Sequence, residues 1–415
     1  MVVGFDTLPS VTYAALAVEP VLTNIVEAAG DGLVGLIGKP TNVPPTVQVR
    51  DQVGSPMPGI AVAFAVTGGG GAISADTAVS DANGLASVVW TLGASAAPNS
   101  VEALVDGVAP VTFAAESRQA AFDIEVRFFG SQYPTADQEA AFAAAEARWE
   151  QIIYGDLEGW QVTLSPGDCG SITADMPAIS EGVDDLLIMA KVDWIDGPYG
   201  ILGAAGPCVI RDGGADDGLP VMGVMVFDKA DLAMMSSDQL SMLMLHEMGH
   251  VLGFGGLWDE EPFDVLANAC AYATNCTTDP HFIGEHAREA FDRVGGVAYV
   301  AGEKVPVEDC LNMGASCGAG TLNVHWRERV LQRELMTGYL NIPGSNPLSI
   351  VSLGSLWDMH YLVDYSSADP YGWPAGPPPL TTQPGSFIEL GNDVLTGPFR
   401  FVDRSGRVVR VTSLR

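Results

Sequence analysis

HEMGHVLGFGGLW, residues 246–258, is the stretch on which the reading of this chain turns. It sets His246 and His250 one helical turn apart, with Glu247 between them. Residues at i and i+4 share a helix face, so two imidazoles at that spacing can grip one metal ion. A carboxylate beside the pair can take a proton from a water that the ion has made acidic. The pattern reads as a metal-dependent hydrolase. Two merely structural histidines are the bland alternative, and the surroundings speak against it. Ser236 and Gln239 form an S-x-x-Q capping box that opens a helix upstream. Leu240, Met244, Met248 and Val251 then repeat at helical spacing as a core-facing stripe. Gly253 stands where such a helix can stop and the chain can turn.

A catalytic zinc usually takes three protein ligands and keeps one position open. The close-spaced pattern H-E-x-x-H-x-x-G-x-x-H would need a histidine where the chain has Gly256. Four histidines remain: His281, His286, His325 and His360. The first two, in HFIGEHA, are five apart and do not share a helix face, so they read as surface or packing residues. His360, in SLWDMHYL, falls in an expected helix and takes the same reading. His325 opens the segment HWRERVLQRELMTGY, with Met336 shortly after it.

Taken together, HEMGHVLGFGGLW, His325-Trp326, Glu334-Leu335-Met336 and LSIVSLGSLWDMHYLVDYSSADPY resemble the leishmanolysin-type metallopeptidases. These are metzincins in which a long insertion separates HExxHxxG from the third histidine. The resemblance runs over residues 121–372. It implies Zn²⁺ held by His246, His250 and His325, Glu247 as general base, and Met336 in a methionine turn beneath the metal. The tyrosine that some metzincins carry two residues after that methionine is Gly338 here, and Tyr339 is given no role. GILGAAGP, with Ile201, Leu202, Gly203, Ala204 and Ala205, resembles the strand that edges metzincin clefts. A peptide substrate would bind such an edge as an added strand.

Upstream, short β-rich runs alternate with turn signals: TVQVR, GSPMPG, IAVAFAV, TGGGG, ASVVWTL, SVEALV and APVTFAA. That rhythm predicts an all-β sandwich. PMPGIAVAFAVTGGGGAIS, SDANGLASVVWTLG and VTFAA resemble the immunoglobulin-like repeats of bacterial invasins and intimins. Gly68 to Gly71 lack a following G-K-[ST], so they join strands rather than cradle a phosphate. The expected fold class is therefore multi-domain, an all-β immunoglobulin-like sandwich followed by an α+β metzincin-type zinc peptidase domain. The expected divisions are a leader segment at 1–27, the immunoglobulin-like domain at 28–118 and the peptidase at 121–372. A proline-rich linker at 373–385 and a small β segment at 386–415 complete the chain.

A net charge of −32 over 415 residues excludes a general nucleic-acid binder, which needs basic patches. It also opposes attraction to anionic membranes. No apolar run reaches the roughly 18 residues of a membrane helix, so no transmembrane segment is expected. Residues 1–38 hold no Lys or Arg, and Glu19-Pro20 interrupts the apolar stretch, so no signal peptide is visible. The cysteines nonetheless point outside the cell. All six lie between Cys169 and Cys317, and none forms a C-x-x-C zinc site. Proximity pairs Cys270 with Cys276 and Cys310 with Cys317, leaving Cys169 for Cys208; disulfides imply an oxidising compartment. The acidic run RDGGADDG, with Asp212, Asp216 and Asp217, fails the EF-hand spacing; a solvated turn is expected there, and Ca²⁺ has no support.

The expectation is thus a secreted or surface-displayed zinc endopeptidase acting on protein or peptide substrates. Its immunoglobulin-like module would serve as a spacer or bind cell-surface or matrix ligands. The alternative is a non-catalytic adhesin that retains a metalloprotease scaffold.

Overall fold

A computed structural model describes residues 19–198, 200–271, 276–311, 317–342, 344–373 and 387–413. The proline-rich stretch expected as a linker lies almost wholly outside them, as does most of the expected leader. The chain divides into two compact units. One comprises residues up to Leu33 together with Val43–Ser117, and the other comprises Val34–Asn42 together with the chain from Arg118 onward.

The first unit is two antiparallel sheets around one core. Leu22–Ala29, Thr46–Asp51 and Leu85–Ser87 form one sheet in that order. Val111–Arg118, Pro98–Leu104, Ala61–Gly68 and Thr77–Val79 follow one another in the second. Alternation along the strands decides which side faces in: Val47 and Val49, Val62 and Phe64, Val101 and Ala103 are buried, while their neighbours face outward. Trp90 and Phe113 fill the centre of the same core. The first strand starts upstream of residue 28, where the sandwich was expected to begin. Its LTNIVEAA pattern buries only Ile25 fully, too weak an alternation to read from sequence. Residues 34–42 are grouped with the second unit, where Asn42 meets its polar partners. Asn42 donates to the Val363 carbonyl at 2.7 Å and accepts from the Tyr365 N–H at 2.9 Å.

The second unit is built on a six-stranded mixed sheet. Its strands are β1 (Ile124–Phe128), β2 (Leu186–Asp193), β3 (Gly203–Arg211), β4 (Pro220–Asp228), β5 (Phe399–Val402) and β6 (Val408–Thr412). They lie in the order β1-β2-β4-β3-β5-β6. β1, β2 and β4 are parallel, β3 runs antiparallel to β4, and β5 runs parallel to β3. Strands buried on both faces need continuous apolar sequence, and LLIMAKVD and PVMGVMVFD supply it. On one face lie helix α1 (Ala136–Ile152) and helix α2 (Ser237–Val251). Each opens on a complete capping box, Thr135 with Gln138 and Ser236 with Gln239. Their shared core holds Phe142, Trp149, Ile188, Met225, Met244 and Met248. Trp160, Val162, Leu187, Met189 and Val224 pack the other face, where the Cys169–Cys208 disulfide ties a loop to β3.

Between α2 and His325 the chain makes a long excursion. It carries helix α3 (Glu285–Arg293) and the disulfides Cys270–Cys276 and Cys310–Cys317. Helix α4 (Ile350–Asp358) returns against α3, and its Asp358 carboxylate accepts the His286 and Ala287 N–H groups at 2.9 Å each. His360 was expected within this helix. It lies beyond the helix end instead, exposed, with a φ of 74°. The chain turns there to bury Tyr361, whose hydroxyl donates to the Leu252 carbonyl.

Glu328, on the short helix that follows His325, has a buried Oε2 without a hydrogen-bond partner. Burial pushes its carboxyl up to about 8, against a hydrogen bond from Thr337 that favours the charged form. A carboxyl raised in the fold contributes stability that is complete below its ordinary value. That contribution is lost as pH rises through the folded value. Glu328→Gln should therefore melt with the wild type near pH 5 and above it near pH 8.5. A pair of thermal melts at the two pH values tests this.

Candidate metal centre

α2 carries His246, Glu247 and His250 on its buried side, and all three have no solvent exposure. Gly253, with φ of 102°, ends the helix and lets the Phe254 carbonyl turn back to accept from His250 Nδ1 at 2.9 Å. Gly255 follows, again at positive φ. A Cβ there would meet the Val324 carbonyl oxygen at 2.1 Å. That close approach brings the residue beside His325 against the end of α2.

Across the chain the three sequence-nominated histidines converge. His250 Nε2 lies 2.9 Å from His246 Nε2 and 3.0 Å from His325 Nε2. His281, His286 and His360 do not join them. His281 Nδ1 donates to the Asp279 carbonyl at 2.7 Å within its own turn, and His286 stacks on Trp357 at 3.7 Å.

Glu334-Leu335-Met336 passes beneath. The Leu335 carbonyl lies 2.7 Å from His246 Nδ1. The buried Glu334 carboxylate accepts from the Met336 N–H, the Ser349 N–H and hydroxyl, and the Ser352 hydroxyl, which fixes the turn. Met336 fills the space left by Gly249, where a Cβ would meet its Cε at 2.7 Å.

A fourth group completes the cluster, and sequence reasoning missed it. Asp393 Oδ2 lies 3.2 Å from both His246 Nε2 and His325 Nε2, and 4.0 Å from His250 Nε2. Asp393 stands in the C-terminal stretch, where GND has no spacing relation to the histidines that could have marked it.

Every imidazole Nδ1 faces a backbone carbonyl: Leu335 for His246, Phe254 for His250 and Thr321, at 3.3 Å, for His325. A carbonyl only accepts, so each neutral ring carries its proton on Nδ1 and presents a bare lone pair at Nε2. Three such lone pairs and a carboxylate oxygen meet with no donor among them. Beside them both Glu247 oxygens are buried without any hydrogen-bond partner, as is Asp393 Oδ1. Burial lifts the Glu247 carboxyl well above its ordinary value, and the Asp393 charge adds to the rise. Burial depresses His250, helped by the His246 and His325 rings. Burial works in the same direction on His325, but Asp393 outweighs it and leaves that imidazole raised. Burial raises the Asp393 carboxyl, but the neighbouring imidazoles, His325 foremost, outweigh it and leave it below the usual carboxylate range. An electron-rich, dry pocket of nitrogen and carboxylate donors fits one cation such as Zn²⁺. Among the described residues it is the one such cluster of potential ligands.

The acidic turn after β3 has no such character. Asp216 accepts from the Glu158 N–H, and Asp217 accepts from the Gly213 N–H. The strand expected to form an open cleft edge is not open. Ile201 and Leu202 precede β3, while Gly203, Ala204 and Ala205 lie within it. Its outer side is paired with β5 and, through a bridge from Ala205 to Val394, with the segment bearing Asp393. The sequence carried no sign that the chain's own C-terminal part would take that edge.

Gly255→Ala should cost about 2 kcal/mol or more, from strain at positive φ and the clash with Val324. It should also weaken zinc binding by displacing His325. Denaturant unfolding and zinc titration of the variant check the two effects separately.

Residues 155–377, more than half of the chain, match the family model Peptidase_M8, described as leishmanolysin. Leishmanolysin of Leishmania major is 24% identical over 278 residues, covering 66% of this chain and 42% of that protein. The chain therefore spans less than half the length of that relative. The D00-D0 domain of intimin covers 24% of this chain and 47% of its own at 17% identity, with a TM-score of 0.21. Domains 4 and 5 of the S-layer protein SbsC cover 24% and 46% at 15% identity, with a TM-score of 0.19. With residues 155–377 matched, a span that includes the HExxH helix, the chain belongs to the leishmanolysin family of peptidases.

Proposed function

We propose that this chain is a zinc endopeptidase that works outside the cell or at its surface. The observation that carries the reading is the pairing of two features on adjacent residues. Three imidazoles converge with their lone pairs unshielded, and a carboxylate with no partner lies next to the first of them. His246, His250 and His325 would hold the metal, and Met336 would support them from beneath. When bound, zinc supplies a Lewis acid and lowers the pKa of water at its open position. Glu247 accepts the proton of the attacking water at a carboxylate oxygen and returns it to the departing amine nitrogen. A peptide would align as an added strand on the Gly203–Ala205 part of β3 only in place of the segment around Val394 that now pairs there.

Three disulfides, with no free cysteine, support an oxidising location. The region expected at 28–118 would act as an immunoglobulin-like spacer or would bind cell-surface or matrix ligands. Glu247 weighs against a non-catalytic adhesin, because a purely structural metal site has no use for a buried, unpartnered base.

Purified full-length chain should carry about one zinc per molecule and cleave members of a mixed peptide library. A chelator should abolish cleavage and added zinc should restore it. Glu247→Gln keeps the side chain's size, so zinc content should hold while turnover falls by roughly two orders of magnitude or more. Undiminished turnover in that variant would rule out the assigned base.

In a companion series, His325→Ala should lose zinc while His281→Ala, His286→Ala and His360→Ala retain it. Metal analysis of the four proteins reads the result directly.

A further inference from the structure

A peptidase that acts on proteins must let a peptide chain reach its metal and its base. Here His246, Glu247, His250 and His325 have no solvent exposure, so something covers them. The cover is the chain's own segment from Phe387 to Leu395. Phe387–Glu389 pairs antiparallel with Tyr339–Asn341, just past the methionine turn. The next residues then run between the two walls of the site. On one wall, the Ala205 N–H donates to the Asp393 carbonyl at 2.7 Å and the Leu395 N–H donates to the Ala205 carbonyl at 2.8 Å. On the other, the Val394 N–H donates to the Gly320 carbonyl at 3.2 Å and the Asn392 N–H to the Thr321 hydroxyl at 2.8 Å. The segment turns at Gly391-Asn392, with Asn392 at a φ of 58°, and makes one strand-like bridge, from Val394 to Ala205. Backbone hydrogen bonding on both sides is how a cleft holds a peptide. Between that turn and the bridge a side-chain carboxylate, Asp393 Oδ2, faces the three Nε2 atoms.

We propose that residues 387–395 are a built-in latch, in which Asp393 occupies the open position of the metal and the segment around it fills the substrate cleft. The inference rests on the metallopeptidase reading of the same site and names its regulation. A carboxylate is an ordinary oxygen ligand for zinc, so it competes directly with the water the reaction needs. The latch is not cut, because the group it offers to the metal is a side-chain carboxylate rather than a peptide carbonyl. β5 and β6 anchor the segment beyond the cleft by extending the sheet from β3. The latched chain is competent only in the fraction of molecules whose segment has left the cleft, and activity falls by that fraction.

Close packing at Gly320 supplies a second handle on the same device. A Cβ there would meet the Val394 carbonyl oxygen at 2.7 Å and the Asn392 backbone at 2.9 Å. Gly320→Ala therefore presses the segment outward without altering Asp393 or any histidine.

The test uses full-length chain loaded with cobalt in place of zinc, as wild type, Asp393→Ala and Gly320→Ala. Acetohydroxamate, a small metal-binding probe, is titrated into each while the visible cobalt spectrum is recorded, and short-peptide cleavage is measured on the zinc forms. The latch predicts that the Asp393→Ala spectrum differs from wild type before any probe is added. It also predicts that both variants bind the probe and cleave peptide about tenfold better or more. Identical starting spectra, or equal probe affinity in all three proteins, would overturn it. So would loss of metal from Asp393→Ala with unchanged probe affinity in Gly320→Ala, which would make Asp393 a permanent structural ligand. If both variants gain probe affinity but no form cleaves peptide, the latch stands and the peptidase reading falls.

Discussion

Lone pairs with nowhere to go organise this molecule. Each imidazole of the site spends its single proton on a backbone carbonyl, which leaves three nitrogens facing one another at hydrogen-bond distance without a hydrogen between them. Burying such groups, together with two carboxylates, is costly unless a positive charge joins them. A fold does not assemble this arrangement for stability. It tolerates the cost because the sheet and helices around it are over-supplied with apolar contacts: Trp149, Met244 and Met248 on one side, Trp258, Trp326 and Phe254 on the other. The rings of that second group pack within about 5 Å of one another, so the segment bearing His325 is held by the aromatic residues of the motif itself.

How much of this could be read from the sequence depends on the range of the interaction that fixes each part. Helix α2 was legible to its caps, since Ser236, Gln239 and Gly253 act within a turn or two of the residues they control. Most strands of both units were legible from alternation or from continuous apolar runs, because burial acts residue by residue; Leu22–Ala29, which buries only Ile25, was not. His325 was legible only through resemblance, as nothing local links it to position 250. Asp393 was not legible. Its role depends on where β5 docks on the sheet, and docking of a distant strand leaves no periodic trace in its own sequence. His360 went astray for a related reason: the pattern of α4 continues past Asp358, but tertiary burial of Tyr361 reverses the chain there.

The sheet edge shows how one surface can meet two demands. A free edge at β3 would present unpaired backbone groups, which a folded protein does well to cover. In this chain the cover is supplied by the C-terminal strands, so the protection of the edge and the occupation of the cleft are one contact. Displacing the segment at Ala205 would expose both at once, and an incoming peptide of extended conformation would restore the same hydrogen bonds.

The carbonyls that orient the three histidines belong to Leu335, Phe254 and Thr321, yet no side chain of those residues makes the contact. Any amino acid provides the same oxygen. As far as the aim of the imidazoles goes, these positions act through the path of the main chain rather than through their side chains. Sequences can drift far apart around such a centre while the imidazoles stay aimed, provided the few residues that shape the path, Gly253, Gly255 and Glu334 among them, are kept.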